Sequence, residues 1–156
     1  NSWKKLEEKP WMLKKTLTKN VYDCRANDLL NVVADVKSYT NFIPFCSDVE
    51  IYDRSVLEEM EHFSARLSIN FKFTSESFET KVVVNQKSNT ISISSNTKPF
   101  KSMIAEWSFI EKDNFCEVTF SIAVSFSSFI KEKIVSISFE KIALNVIDAF
   151  ERRARE

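Results

Sequence analysis

The sequence holds one histidine, His62, and three cysteines, Cys24, Cys46 and Cys116, scattered without CxxC spacing. Zinc binding by imidazole and thiolate needs several such groups in short-range pairs, so this supply points away from a metal site. Nucleophilic catalysis needs a base beside the nucleophile, and a lone His62 at the start of a strand offers no Ser-His-Asp or Cys-His arrangement. The thiols, odd in number and far apart, read as reduced. Cys46 reads as a small buried residue and not a reactive one. Carboxylates are plentiful, but none takes the inward parity of the clearly alternating strands. Glu76, Glu79, Lys81 and Glu106 read as solvent-facing. Glycine is absent altogether, where average usage predicts roughly eleven. P-loops and Gly-rich dinucleotide turns need positive φ or close backbone approach, so those cofactor classes are ruled out. What is left is apolar. Residues 35–46, "DVKSYTNFIPFC", crowd Tyr39, Phe42, Ile43, Pro44 and Phe45 together too irregularly for one helix face or one strand.

The elements that must position these residues follow from periodicity. At 156 residues the chain reads as a single domain over 11–156, preceded by an extension at 1–10. Beginning at Asn1 without a Met, it is read as processed or trimmed, and its start has the character of neither a signal nor a transit peptide. Twenty-two basic and 22 acidic residues balance, so no net field favours nucleic acid. No apolar run approaches the roughly 20 residues that span a bilayer.

"WMLKKTL" predicts a first strand. "ANDLLNVVADV" predicts a short helix capped by Asn27 or Asp28, with Leu29, Leu30, Val32, Val33 and Val36 as its stripe. Pro44 stops any continuation. Then the period becomes two. In "HFSARLSINFKF" Phe63, Ala65, Leu67, Ile69, Phe71 and Phe73 share a face; in "CEVTFSIAVSF" Cys116, Val118, Phe120, Ile122, Val124 and Phe126 do. Between them, "KPFKSMIAEWSFIEKDN" aligns Met103, Ala105, Trp107 and Phe109. From Ser128 to Glu156 the period returns to 3.6, through Ile130, Ile134, Phe139, Ile142, Val146 and Phe150. A one-faced antiparallel sheet and one long apolar helix have a natural solution, in which the sheet curls and grips the helix.

The segments "VADVKSYTNFIPFCSDVEI", "KPFKSMIAEWSFIE", "CEVTFSIAVSF" and "FEKIALNVIDAFERRA" resemble, in order and spacing, the coenzyme Q-binding protein family. That family lies within the START-like, polyketide-cyclase-type helix-grip superfamily. The likeness covers roughly residues 12–155. It departs at Thr40, where the family commonly has proline, at Ala123 and Ser125, where an acidic residue is common, and at missing glycines. The resemblance implies an α+β fold with about seven antiparallel strands wrapped around a long C-terminal helix and short helices after the first strand. It also implies non-catalytic binding of ubiquinone, or another prenylated lipid, as ligand, with no cofactor required. A mitochondrial protein, peripheral on the matrix side of the inner membrane and supporting respiratory electron transport, is the implied setting. A ribosome-associated translation inhibitor of the bacterial cytoplasm is the alternative within the superfamily, and a cyclase or hydrolase using the same cavity is a third reading.

A prenylated quinone is almost entirely apolar, and burial of its tail yields about 25 cal/mol per Å2. Its expected site is a long apolar cavity with few polar groups. The candidate wall consists of Leu67, Ile69, Phe71, Phe73, Trp107, Phe109, Phe120, Ile122, Phe139, Ile142 and Val146, with Phe42, Ile43, Pro44 and Phe45 as a lid. Trp107 is expected either to stack on a quinone ring or to serve as core. The lid has its own alternative, a helix-to-strand corner packed on the core. The basic residues of the last helix, Lys131, Lys133, Lys141, Arg152, Arg153 and Arg155, suit peripheral membrane contact as a supplement, diluted by neighbouring acids.

Overall fold

The computed structural model describes residues 12–71, 74–127 and 129–156. Strand β1 (Leu13–Tyr22) leads into helix α1 (Ala26–Ala34) and a short 3-10 helix (Val36–Asn41). Six strands follow: β2 (Cys46–Leu57), β3 (Met60–Phe71), β4 (Thr74–Asn85), β5 (Thr90–Ser95), β6 (Phe100–Glu111) and β7 (Phe115–Phe126). Helix α2 (Phe129–Ala154) closes the chain. The strands form one antiparallel sheet in the order β1-β7-β6-β5-β4-β3-β2, so each hairpin neighbour pairs and β1 returns to β7. The helix-grip architecture expected from the periodicity is the one observed.

Alternation sets which side of the sheet is covered. Phe63 and Ala65 on β3, Val82 and Val84 on β4, Trp107 and Phe109 on β6, and Cys116 and Val118 on β7 are all 5% exposed or less. Opposite parities carry His62, Ser64, Lys81, Ser92 and Glu106 outward. Each large apolar side chain so buried contributes about 1.5–3 kcal/mol. Helix α1 lays Ala26, Leu29, Leu30 and Val33 on this core, the i, i+3, i+4, i+7 pattern of a one-faced helix.

The cap of α1 differs from expectation. Asn27 and Asp28 lie inside the first turn, and Arg25 occupies the cap position without a side-chain capping bond. A carboxylate from the sheet does the work instead. The Ala26 N–H donates to Oε1 of Glu111, at the end of β6, over 3.0 Å, and satisfies one of the orphan donors of the helix start. β1 also runs further than its apolar residues suggest, because Lys15 and Lys19 share the parity of Leu13, Leu17 and Val21. Lys19 reaches α2, where Nζ pairs with Glu151 and with Asp148 at 3.1 Å. Arg155 holds Glu151 from the other side at 3.1 Å and donates to the Tyr22 carbonyl at 3.0 Å.

Two predictions follow from this frame. The β2–β3 hairpin turns on Glu58 and Glu59, both at positive φ (55° and 65°), flanked by the Leu57–Met60 pair. That is the geometry in which Asn-Gly is favoured. Replacing Glu58→Asn and Glu59→Gly together is expected to raise stability by about 1–2 kcal/mol in urea unfolding, with little offset from the exposed Glu59–Lys87 ion pair. The second concerns Glu151. The hydrogen bond from Lys19, joined by Arg155 and opposed by desolvation, holds its carboxyl below the usual range. A depressed carboxyl pKa stabilises the fold above its unfolded value and ceases to do so as pH falls through the folded value. Glu151→Gln should therefore cost about 0.5 kcal/mol near neutral pH and converge on wild type in acid, as read by denaturation across pH.

Candidate functional site

Between the inner face of the sheet and helix α2 lies a cavity of about 200 Å3. Its floor is laid by cross-strand neighbours. Leu67 stands opposite Phe78, Ala105 opposite both Ile93 and Ile122, and Trp107 opposite Phe120. Ile69, Thr80, Val82 and Met103 extend the floor, and Val146 and Phe150 of α2 form the roof. Val36 and Tyr39 of the 3-10 helix close one side with Ile43 and Cys46.

Aromatic rings hold that side together. Phe150 meets Tyr39, Phe42 and Trp107 edge-on at 5.3, 5.5 and 5.2 Å. Trp107 also touches Phe120 at 4.5 Å and stacks parallel to Phe109 at 6.0 Å. The guanidinium of Arg153 sits 5.2 Å above the Phe42 ring, a contact that shields the cluster from water.

The described part of the wall is uncharged. No Asp, Glu, Lys, Arg or His is among its described residues. Tyr39 donates its hydroxyl hydrogen to the Val33 carbonyl. Burial, with Asp35 and Cys46 adding to it, raises its pKa far above the usual phenol range. Burial likewise raises the Cys46 thiol, partly offset by its contact with the Asp48 carbonyl. Thr80 donates to the Ala65 carbonyl at 3.0 Å. Near neutral pH these groups are neutral. Cys116, in the core beneath α1, is pushed up to about 11, mainly by burial; none of the three cysteines forms a disulfide.

The structure brings together seven of the residues expected from sequence: Ile43, Leu67, Ile69, Trp107, Phe120, Ile122 and Val146. Phe109 lies in the core behind Trp107, at 2% exposure. Phe42 packs against the aromatic cluster without lining the cavity, and neither Pro44 nor Phe45 lines it. Phe45 is 42% exposed at φ 72°, and its carbonyl accepts the Asn70 N–H at 2.8 Å, which ties this corner to the end of β3. Phe73 lies outside the described residues, as do the side chains of Phe71, Phe139 and Ile142.

Lining residues outside that site set include Tyr39, Thr80, Phe78, Ile93, Ala105 and Phe150, of which Ala105 and Phe150 already fell on the apolar stripes of their elements. For Phe78, Ile93 and Ala105 the alternation that placed their neighbours inward was the available signal. Tyr39 carries no such signal, because a 3-10 turn has no long period to read. One orientation is reversed. Glu76 shares the inward parity of Phe78 and Thr80, stands opposite Ile69 and is half-buried, although it lies beyond the residues that line the cavity. Two larger depressions, of about 480 and 460 Å3, occupy the outer sheet face among Ser64, Lys81, Ser94 and Ile104. Charged and hydroxylic side chains share their walls, and the space under α2, without charge among its described residues, is the better ligand site.

A curved antiparallel sheet closed by a C-terminal helix over an apolar cavity defines a START-like, helix-grip domain. The family described as polyketide cyclase / dehydrase and lipid transport matches residues 23–151, and the chain belongs to it. It is 30% identical over 134 residues to the ribosome association toxin RatA of Rickettsia prowazekii, covering 82% of this chain and 87% of that protein. To the mitochondrial coenzyme Q-binding protein COQ10 of Drosophila melanogaster it is 27% identical over 132 residues, covering 82% of this chain and 53% of that one. The chain thus spans about half the length of that relative. The Zhui aromatase/cyclase of Streptomyces superposes with a TM-score of 0.79 at 14% identity, covering 92% of this chain and 94% of that one, a likeness of fold.

If the cavity is true empty space, filling it should be tolerated. Val146→Phe is expected to change the unfolding free energy by less than about 1 kcal/mol, where the same enlargement in a dense core costs about 1–3 kcal/mol. Denaturant unfolding of the two proteins measures this.

Proposed function

We propose that this protein binds a prenylated lipid of the ubiquinone class in the cavity under α2, as a carrier and not a catalyst. The observation that carries this reading is the absence of charge among the described wall residues, which are apolar apart from neutral hydroxyl, thiol and indole groups. Such a wall retains a greasy guest by burial and supplies no acid, base or nucleophile at the guest's surface. The likeness to a protein named for coenzyme Q binding supports the choice of lipid. The cavity of about 200 Å3 is only somewhat larger than an engineered space of about 150 Å3 that accepts benzene. It suits a ring or a short stretch of prenyl chain, with the rest of the ligand extending beyond it.

In this reading the protein works as a lipid chaperone for respiratory electron transport, peripheral to the matrix side of the mitochondrial inner membrane. Among the described residues no helix is long and apolar enough to cross a membrane. The corner Phe42–Phe45 acts as the lid through Ile43, the member of that segment that reaches the cavity. A second reading, ribosome association in a bacterial cytoplasm, is favoured by the likeness to RatA over 87% of that protein.

The deciding experiment is organic extraction of the purified protein followed by mass spectrometry. Wild type is expected to release a prenylquinone, and Val146→Phe, whose larger ring occupies the cavity, several-fold less. Co-sedimentation with ribosomal subunits and no extractable lipid would overturn the carrier reading in favour of the second.

A further inference from the structure

Three hydrogen-bonding groups of the cavity wall belong to Tyr39, Thr80 and Trp107. The first two already donate, to the Val33 and Ala65 carbonyls, so toward the cavity they can only accept. The Trp107 indole is the reverse case, a donor with no acceptor capacity. Its N–H makes no hydrogen bond among the described residues. Buried indoles ordinarily find a partner, and a missing partner calls for an explanation.

Packing does not seal this nitrogen off. Among the described residues, the fully buried side-chain nitrogen or oxygen that lacks a partner is His62 Nε2. The Trp107 N–H therefore keeps an accessible face although the residue as a whole is only 3% exposed. The open space that this side chain borders is the cavity. Nor can the ring swing away, because Phe120, Phe150 and Phe109 hold it at 4.5, 5.2 and 6.0 Å.

We infer that the Trp107 indole N–H is the recognition donor of this cavity, and that the group bound beside it is ring-sized, apolar and bears an acceptor oxygen. This rests on the cavity being the ligand site proposed above, and it adds a polar requirement to it. Bare hydrocarbon would leave the N–H unpaired. A quinone carbonyl, or the carbonyl of an acyl ester, would pair it, and the quinone has the cyclic shape that the space of about 200 Å3 favours.

The test compares wild type with Trp107→Phe, which keeps the aromatic bulk and removes the donor. Each is titrated calorimetrically with three probes: ubiquinone bearing one isoprene unit, methyl laurate, and squalene. The variant is expected to bind the ubiquinone about tenfold more weakly, the loss of one buried hydrogen bond, and squalene as wild type does. Equal loss for squalene, or undiminished binding of both oxygen-bearing probes, overturns the inference while leaving apolar binding in place. A loss confined to methyl laurate upholds the donor and overturns the cyclic ligand. Wild type that binds none of the three overturns this inference and the carrier reading together.

Should the variant fail to fold, the indole N–H resonance of wild type gives the answer. Trp3→Phe and Trp11→Phe identify it by elimination. It should move downfield with ubiquinone and stay in place with squalene; an unmoved resonance in the ubiquinone complex overturns the inference.

Discussion

The end of the long helix is anchored over the sheet by one aromatic cluster. Phe150 enters between Tyr39, Phe42 and Trp107 and meets each ring edge-on. Such pairs contribute about 0.5–1.5 kcal/mol each beyond the area they bury. Through Phe150 three parts of the chain become one unit: the end of α2, the 3-10 turn and the centre of β6. The Lys19–Glu151–Arg155 clasp locks the neighbouring residue of α2 to the sheet edge. A single helix cannot cover the whole inner face of seven curved strands. Where the aromatic wedge ends, the inward residues Leu67, Ile69, Phe78, Ile93, Phe120 and Ile122 are only half-buried, and the cavity is the space they face.

Much of this was legible in the residues, and the exceptions share a cause. Strict alternation in β3, β6 and β7 identified the covered face, and the 3.6 period identified α2. Periodicity fails where an ion pair substitutes for apolar burial. Lys19 sits on the inward parity of β1 because Asp148 and Glu151 receive it, so an edge strand of ten residues looks shorter from its apolar residues alone. It fails again where a partner lies far along the chain. The start of α1 is satisfied by Glu111, 85 positions from Ala26, while Asn27 and Asp28 resemble local caps and do not act as such. The site was legible in proportion to its strand content. Its floor came from alternation, and Tyr39, which the fold brings in through a 3-10 turn, was visible only as a member of the apolar crowd at 35–46.

The missing glycines have a structural counterpart. Asp23, Phe45, Asp53, Glu58, Glu59 and Asn89 adopt positive φ, a region that glycine enters without penalty and most residues do not. Three of the six are Asp or Asn, the side chains that tolerate it best. Asp23 and Asn89 sit at strand ends and Asp53 at the bulge of β2. Phe45 is the outlier. A bulky residue is held left-handed at the corner where its carbonyl accepts the Asn70 N–H, and that bond joins the segment before β2 to the far end of β3. The backbone thus fixes this corner. Ile43, two residues earlier, is free to contribute its side chain to the cavity.

The electrostatics of the wall separate retention from turnover. A catalytic cavity of this fold would place an ionisable group, tuned by its surroundings, against the reacting atoms. Here burial acts in the opposite sense, raising the Tyr39 phenol and the Cys46 thiol so that both keep their protons. Glu76 is inward on β4, but it lies past Phe78 and outside the wall. Among the described residues, the chemistry offered to the buried part of a guest is contact and shape, with the Trp107 N–H as the proposed donor.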